Sequence, residues 1–254
     1  MEIKPYENSS KDKRGQIEDM FDNIAENYDF LNHSLTFGID KLWRRKAIKQ
    51  AKANSPEKIL DIAAGTGDFT ILEAENTSAN ITAIDISQNM LDIAIKKAET
   101  KKMSERIKFL KADSLNMPFE DNSFDVATVG FGVRNFVDIP KGLKEILRVL
   151  KPNGKLVVLE LSEPPNKIVK LGYSFYFHKV LPFWGKIISK DAQAYQYLPK
   201  SVDNFPYGEK FLSLMTEAGY NNVKLKWLTL GLSAIYTGEK KWYNYSRSSI
   251  KPNE

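Results

Sequence analysis

Two glycines and two aspartates in the first third of the chain have the spacing of a nucleoside-binding turn. An apolar run that contains Asp61 breaks at Gly65 and Gly67, and a helical pattern follows. Glycine has no Cβ, so the backbone can turn tightly there and approach a ligand. The next apolar run ends at Asp85, where one carboxylate can accept hydrogen bonds from both hydroxyls of a ribose. The alternative is a structural turn beside two solvated acids.

The turn departs from the dinucleotide fingerprint in two ways. A NAD or FAD site reads G-x-G-x-x-G, but the last position here is Thr70. The helix also begins with Asp68, whose negative charge is a poor neighbour for a pyrophosphate. An adenosyl ligand without phosphates fits better, and acids around the pocket would attract the cationic groups of S-adenosylmethionine. We therefore expect S-adenosylmethionine as the cofactor.

Two further strand ends supply candidate ligand residues. Asp113 and Ser114 follow the third apolar run, and an acid just beyond a strand's carboxyl end lies in the ligand crevice of such a sheet. The alternative for Asp113 is a turn-capping role. Gly130 ends the fourth run and is soon followed by Arg134 and Asn135. Since a surface arginine is usually only solvated, the residue type alone leaves the role of Arg134 open.

Alternating strands and helices must position these residues. Apolar runs and helical periodicity predict strands near 58–63, 81–86, 107–111, 124–130 and 155–161, with helices near 68–76, 89–101 and 140–150. Such alternation implies parallel pairing, and Ser87 has the position of a helix N-cap. A last helix over 205–219 and strands over 223–228 and 233–237 complete the pattern. The predicted fold is α/β, a doubly wound seven-stranded mixed sheet.

Length and composition favour one domain without a metal centre. A chain of 254 residues would divide into an N-terminal helical cap (16–54), an α/β core (55–161), a helical insertion (162–201) and a closing helix and hairpin (202–240). Residues 1–15 are expected to fray. The chain has no Cys and only 2 His, so we expect no disulfide, thiol nucleophile or metal cluster. The net charge of +5 is mild and selects neither nucleic acid nor anionic lipid.

Four motifs together resemble the quinone-biosynthesis C-methyltransferases, the demethylmenaquinone and demethylubiquinone methyltransferase family of class I S-adenosylmethionine-dependent methyltransferases. The motifs are Phe21-x-x-Ile24-Ala25-x-x-Tyr28-Asp29-x-x-Asn32, Asp61-x-Ala63-x-Gly65-Thr66-Gly67-Asp68, Gly132-Val133-Arg134-Asn135 and Tyr195-x-Tyr197-Leu198-Pro199-x-Ser201. Many methyltransferases share the second motif, whereas the other three, in this order, are much more specific. The resemblance runs from about Gln16 to Lys240.

The resemblance implies C-methylation of a polyprenylated hydroquinone. It assigns cofactor binding to Asp61, Gly65, Thr66, Gly67, Asp68, Asp85, Asp113, Ser114 and Gly130. The implied catalytic residues are Arg134, Asn135 and Tyr28. Arg134 would stabilise a developing phenolate, while the other two would position a hydroxyl or a relay water. On physical grounds alone, Tyr28 could equally be a packed aromatic with a satisfied hydroxyl.

The sequence leaves two candidates for the ring of the acceptor. Naphthoquinol and benzoquinol acceptors share this scaffold, and we favour the menaquinone precursor because no feature demands the ubiquinone one. Another lipid acceptor is a further alternative. A protein that only binds S-adenosylmethionine or RNA is the alternative from another class. We expect no nucleic-acid partner, because the lysines of the insertion are dispersed among aromatics rather than clustered.

The insertion combines aromatic residues with lysines between residues 166 and 190. Such a stretch can lie in a bilayer interface, with Pro182 expected to kink it. It would then cover a hydrophobic acceptor and guide its tail, while Tyr195 to Ser201 would form a bordering loop. The alternative is a helix pair packed on the sheet edge or on a second copy in a homodimer. With neither a secretory signal nor an apolar run of about 20 residues, we expect a cytoplasmic protein that is peripheral at the inner face of the membrane.

Overall fold

The computed structural model describes residues 3–6, 8–176 and 192–241. The expected kink at Pro182, and the aromatic residues and lysines from 177 to 190, lie outside the described residues. Within the described part of the chain, no helix is long and apolar enough to cross a membrane.

A seven-stranded sheet forms the centre of the fold, with strand order β3-β2-β1-β4-β5-β7-β6. The strands are β1 (Lys58–Ile62), β2 (Asn80–Asp85), β3 (Ile107–Lys111), β4 (Phe124–Gly130), β5 (Leu150–Leu161), β6 (Tyr220–Leu228) and β7 (Ser233–Lys240). β7 runs antiparallel to both of its neighbours, and the first five strands pair in parallel. The prediction of a doubly wound, seven-stranded mixed sheet is confirmed.

Helices cover both faces of this sheet. They are α1 (Lys13–Ile24), α2 (Tyr28–Leu35), α3 (Ile39–Ala51), α4 (Asp68–Asn76), α5 (Gln88–Thr100), α6 (Ile139–Val149), α7 (Lys167–Phe175), α8 (Ala192–Asn204) and α9 (Glu209–Ala218). On one face, α6 and α9 bury Leu143, Ile146 and Phe211 against the central strands. On the other face, Trp43 of α3 and Phe69 of α4 belong to a second apolar cluster. The parallel strands are therefore buried from both sides, as their apolar runs require.

The N-terminal cap begins earlier than expected. α1 starts at Lys13 because Asp12 caps it, accepting a hydrogen bond from Gly15 N at 2.8 Å. Gln16 is 1% exposed, and its side-chain oxygen accepts from Tyr6 N at 3.0 Å. The expectation that residues 1–15 fray is therefore wrong for the start of this helix, because a side-chain cap and a long-range hydrogen bond hold it.

The segment expected as a loop from Tyr195 to Ser201 is part of α8 instead. Pro199 lies inside this helix, where it removes one backbone hydrogen bond. Tyr197 and Val202 of α8 are buried with α1 in a third apolar cluster. Burial of this face outweighs the local preference of proline, and the loop prediction is wrong.

The last helix is also shorter than expected, since Pro206 and Gly208 separate α8 from α9.

Two acids are buried together beneath the glycine turn. Asp61 and Glu73 are both fully buried. Asp61 accepts a hydrogen bond from Thr70 Oγ1 at 2.6 Å, whereas the carboxyl oxygens of Glu73 have no hydrogen-bond partner among the described residues. Burial raises the pKa of Asp61 to about 7. Burial, and then the charge of Asp61, raise the pKa of Glu73. The folded protein therefore favours the protonated form of Glu73 more than the unfolded chain does.

We expect the Glu73→Gln variant to lose part of the pH dependence of stability. A carboxyl with a raised folded pKa releases its proton on unfolding, so the free energy of unfolding falls as pH rises from the unfolded towards the folded value. For Asp61 that window runs from 3.8 to about 7. As pH rises above about 5, the variant should lose less stability than the wild type, as measured by urea unfolding at each pH.

Glu75→Gln is the matched control, because Glu75 lies on the same helix, is 36% exposed and pairs with Lys101. Its stability should follow the wild-type pH curve. Parallel curves for all three proteins would contradict a protonated Glu73 in the folded state.

Candidate active site

The turn after β1 takes a shape that only glycine adopts easily. Gly65 and Gly67 have φ angles of +56° and +79°, in the left-handed region. A Cβ on Gly67 would lie 2.8 Å from the Cβ of Ala94 on α5, closer than packed atoms allow. The turn is thus pressed against α5, at the carboxyl ends of β1 and β2.

A cleft lies at these carboxyl ends, and we call it the strand-end cleft. Its polar lining includes Gly65, Asp85, Asp113, Ser114 and Asn135, and its apolar lining includes Ile17, Phe21 and Tyr28 from the cap. Gly130 and Phe131, at the end of β4, also line it. Ligands of doubly wound sheets bind in such crevices.

Asp85 organises the floor of the strand-end cleft. Its two carboxyl oxygens accept hydrogen bonds from Gly65 N at 2.8 Å and from Ser87 N at 2.9 Å. Burial raises the pKa of Asp85, and these two backbone donors act in the opposite direction. Each oxygen keeps a second lone pair, so the carboxylate can still accept from a diol. Ser87 caps α5 through Met90 N, which confirms the predicted N-cap.

Helix α1 forms the roof of the cleft through polar contacts along its length. Arg14 Nε lies 3.1 Å from Asp113 Oδ2, and Lys111 Nζ lies 2.7 Å from Glu18 Oε1. Near the other end of the helix, Asp22 accepts a hydrogen bond from Ser87 Oγ at 2.5 Å. The opposing charges of Arg14 and Asp113 therefore meet across the cleft.

Four of the predicted cofactor residues lie behind the cleft rather than in its lining: Asp61, Thr66, Gly67 and Asp68. Thr66 Oγ1 donates to Asp29 Oδ1 at 2.5 Å. Asp68 Oδ1 lies 2.7 Å from Lys97 Nζ, and Asp68 Oδ2 lies 3.1 Å from His33 Nε2. Although burial acts against it, the charges of Arg44 and Lys97 hold the pKa of Asp68 below its ordinary value. Direct cofactor contact by these four residues stays a prediction.

A second, mainly apolar space adjoins the strand-end cleft, and we call it the apolar cavity. Its walls include Phe37, Trp43, Leu161, Tyr173, Tyr176 and Leu232. The space between the walls is about 1300 Å³, against about 730 Å³ for the strand-end cleft, each with its part open to solvent. Tyr28 and Phe131 line both spaces. These two side chains therefore form the wall across which the two sites meet.

Arg134 is held in the wall of the apolar cavity by a buried carboxylate. Its side chain is 7% exposed and that of Glu160 is 0% exposed, with Nη1 2.7 Å from Glu160 Oε1. Nη1 also donates to Phe131 O at 2.5 Å, and Nε donates to Ser201 Oγ at 3.3 Å. The interpretation of Arg134 as a solvated surface residue is excluded. Glu160 was missed as a site residue, although its position at the end of a buried strand was a visible signal.

Tyr28 and Asn135, the other two predicted catalytic residues, share the strand-end cleft, but only Tyr28 also reaches the apolar cavity. The side chain of Asn32 forms a hydrogen bond with Tyr28, and burial raises the pKa of Tyr28, against the effect of the Arg134 charge. The Tyr28 hydroxyl is therefore protonated at neutral pH. Asn135 lines the strand-end cleft rather than the apolar cavity. Its Oδ1 is buried, and no described residue donates a hydrogen bond to it, so this acceptor is available to a ligand.

The fold is shared with solved methyltransferases. The chain is similar to the solved structure of an S-adenosylmethionine-dependent methyltransferase from Aquifex aeolicus, with a TM-score of 0.57, 17% identity, and coverage of 77% of this chain and 88% of that chain. At this identity the likeness establishes the fold, which is that of class I S-adenosylmethionine-dependent methyltransferases.

Sequence comparison identifies the family. A model of the ubiE/COQ5 methyltransferase family matches residues 7–240. A demethylmenaquinone methyltransferase from Bacteroides fragilis is 45% identical over 94% of this chain and 97% of its own length. A ubiquinone/menaquinone biosynthesis C-methyltransferase UbiE from Geotalea daltonii is 46% identical over 90% and 98%. The chain belongs to the ubiE/COQ5 methyltransferase family, and its cofactor is S-adenosyl-L-methionine.

We expect Asp85→Asn to weaken cofactor binding by about 10- to 100-fold. The substitution removes the charged acceptor expected for the ribose hydroxyls, and hydrogen bonds to a charged acceptor contribute about 1.5–3 kcal/mol. Isothermal titration calorimetry with S-adenosylhomocysteine measures the change. Asp22→Asn is the matched control, since Asp22 contacts Ser87 and Asn89 from the roof side. The control should bind within about twofold of the wild type. Equal dissociation constants for Asp85→Asn and the wild type would exclude Asp85 as a ribose ligand.

Proposed function

We propose that the protein transfers a methyl group from S-adenosylmethionine to a ring carbon of a polyprenylated hydroquinone, with demethylmenaquinol as the acceptor and menaquinol as the product. The observation that carries this proposal is the pair of adjoining spaces that share Tyr28 and Phe131. One space has hydrogen-bond acceptors at strand ends, and the other is large and mainly apolar. The similarity to a demethylmenaquinone methyltransferase from Bacteroides fragilis supports a quinol acceptor.

The strand-end cleft fits the cofactor by the chemistry of its acceptors. Asp85 would hold the ribose hydroxyls, and Asp113 with Ser114 would meet the adenine, with the acid accepting from its amine. The unpartnered, buried Oδ1 of Asn135 suits the cationic amino group of the methionine end. When bound, the cofactor supplies an electrophilic methyl group on its sulfonium. Asp61, Thr66, Gly67 and Asp68 would support this site by holding the glycine turn and the start of α4 in place.

The apolar cavity fits a quinol ring and the first part of its tail. A hydroquinone ring carbon becomes nucleophilic as an adjacent hydroxyl loses its proton, and the Arg134 guanidinium would stabilise the phenolate that forms. Tyr28, protonated at neutral pH, would orient that hydroxyl by hydrogen bonding. The apolar walls, with the quinol in place, would exclude water and orient the ring carbon towards the strand-end cleft.

The direct test offers two acceptors in parallel with a cofactor that carries a labelled methyl group. We expect label on the reduced naphthoquinone precursor and none on the reduced ubiquinone precursor, with product mass as the readout. The oxidised naphthoquinone is the control and should stay unlabelled, because it lacks the hydroxyls that donate electron density to the ring. Label on both rings would mean an enzyme of both pathways. Label on neither, with cofactor binding intact by calorimetry, would overturn the acceptor.

In the proposed function, the protein takes its polyprenylated acceptor from a membrane that it contacts through α7. Helix α7 presents Val169, Gly172 and Tyr173 to the apolar cavity. Its opposite side leaves Ile168 and Leu171 exposed by 84% and 75%. A helix that is apolar on both sides needs a second apolar neighbour. We assign that neighbour to the bilayer interface, at the inner face of the cytoplasmic membrane.

We place the mouth of the apolar cavity between Phe37 and Tyr176, which both line it, and this placement supports the same assignment. Phe37, between α2 and α3, is 80% exposed, and its ring centroid lies 6.4 Å from that of Tyr176 at the end of α7. Apolar side chains thus flank the mouth on both sides, where a quinol tail would leave the protein. Assembly into a homodimer stays a prediction.

We expect Ile168→Ser combined with Leu171→Ser to weaken binding to phosphatidylglycerol–phosphatidylethanolamine vesicles by about 30-fold or more, since each substitution removes buried apolar area worth about 1 kcal/mol or more. Cosedimentation measures the retention. Trp227→Ser is the control, because Trp227 is a 39% exposed aromatic on β6 that lines neither space. Undiminished retention of the double variant would exclude α7 as the docking element. Retention on RNA instead of vesicles would favour the nucleic-acid alternative.

A further inference from the structure

We propose that Glu160 is a positioning residue that directs the guanidinium of Arg134 towards the quinol oxygen. The inference rests on the proposed function, in which Arg134 stabilises the phenolate. Glu160 itself would not touch the acceptor, because its carboxyl group is fully buried and its contacts are with the protein.

One carboxylate holds both the backbone and the side chain of Arg134. Glu160 Oε2 accepts a hydrogen bond from Arg134 N at 3.2 Å, and Glu160 Oε1 accepts from Arg134 Nη1 at 2.7 Å. Oε1 also accepts from Leu161 N at 2.9 Å, which fixes the carboxylate to the end of β5. The short helical turn Val133–Asn135 and the guanidinium it carries are therefore held by a single buried charge.

The remaining contacts leave one edge of the guanidinium for a ligand. Phe131 O takes a second hydrogen bond from Nη1, and Ser201 Oγ takes the one from Nε. Ser201 Oγ is itself fixed, because it donates to Leu198 O at 2.7 Å. Nη2 has no hydrogen-bond partner within the described part of the chain. Arg134 lines the apolar cavity, so its unused Nη2 donors suit a phenolate oxygen there.

Loss of the Glu160 charge would change where the guanidinium points. A buried ion pair that loses one member leaves the other charge uncompensated, and Arg134 would then turn to other acceptors. Nη2 would no longer be the edge left for the ligand. The consequence is a loss of stabilisation in the transition state, with cofactor binding unchanged, because Glu160 does not line the strand-end cleft.

The first test is Glu160→Gln against Ser233→Ala. Ser233 is the matched control, since it is buried and donates to the backbone oxygen of Glu160 at 2.8 Å rather than to the carboxylate. We expect Glu160→Gln to lower kcat by about 30- to 100-fold, with the KM for the quinol within about threefold and the Kd for S-adenosylhomocysteine unchanged. Ser233→Ala should lower the melting temperature and leave kcat as it is. A folded Glu160→Gln protein with kcat within about threefold of the wild type would overturn the proposal.

Two further variants separate positioning from a purely structural role. Arg134→Lys has no guanidinium for Glu160 to position. The double variant with Glu160→Gln should therefore have a kcat within about threefold of that of Arg134→Lys alone. Losses that multiply in the double variant would overturn the proposal. If Glu160→Gln does not fold, Glu160→Asp takes its place in the test. This variant keeps the carboxylate, but its side chain is one methylene shorter. It should lose about tenfold in kcat, and full turnover there would also overturn the proposal.

Arg134→Ala distinguishes failure of this inference from failure of the proposed function. Full turnover by Arg134→Ala would remove Arg134 from the chemistry and overturn the positioning role of Glu160, while methyl transfer to the quinol would stand. No label on the quinol with the wild type would overturn the proposed function itself. Lost turnover in Arg134→Ala, together with unchanged kcat in the folded Glu160 variants, would overturn only the positioning role of Glu160.

Discussion

The hydrogen bonds to Asp85 are the contacts on which the rest of the site depends. One oxygen of this carboxylate holds the glycine turn through Gly65 N, and the other holds the start of α5 through Ser87 N. Ser87 then contacts Asp22 of the roof helix through its hydroxyl. A single buried acid at the end of β2 thus connects the turn, the helix that packs against it and the helix that covers the cleft. Parallel strands place such an acid at the ligand edge of the sheet.

The division of the site into two spaces follows from where the cap meets the sheet. Tyr28 comes from the N-terminal cap, whereas Phe131 follows β4 at the centre of the sheet, and both line the strand-end cleft and the apolar cavity. Near this wall the charge of Arg134, whose side chain is 7% exposed, is tied to Glu160, whose side chain is 0% exposed. An unpaired charge in so buried a place would be costly. Within the described part of the chain, Nη2 of Arg134 and Oδ1 of Asn135 keep no hydrogen-bond partner.

The sheet was predictable from the sequence, because its signals are local. The apolar runs, the glycine turn and the Ser87 cap each depend on a few neighbouring residues, and the structure confirms them. The helical state of Pro199 was not predictable, because its cause is tertiary burial of Tyr197 and Val202. The burial of Arg134 depends on Glu160, which lies on β5, 26 positions away in the sequence. The ion pairs of Asp68 with His33 and Lys97 likewise join three separate helices. Contacts at such distances leave no periodic pattern in the sequence.

The most direct measurement is a crystal structure of the protein with S-adenosylhomocysteine and a short-tailed naphthoquinol bound together. We expect the ribose on Asp85 in the strand-end cleft, the ring in the apolar cavity with one oxygen near Arg134, and the sulfur facing a ring carbon past Tyr28 and Phe131. A ring bound on the far side of α3, or an apolar cavity that stays closed to the quinol while the cofactor site is filled, would contradict methyl transfer across this wall.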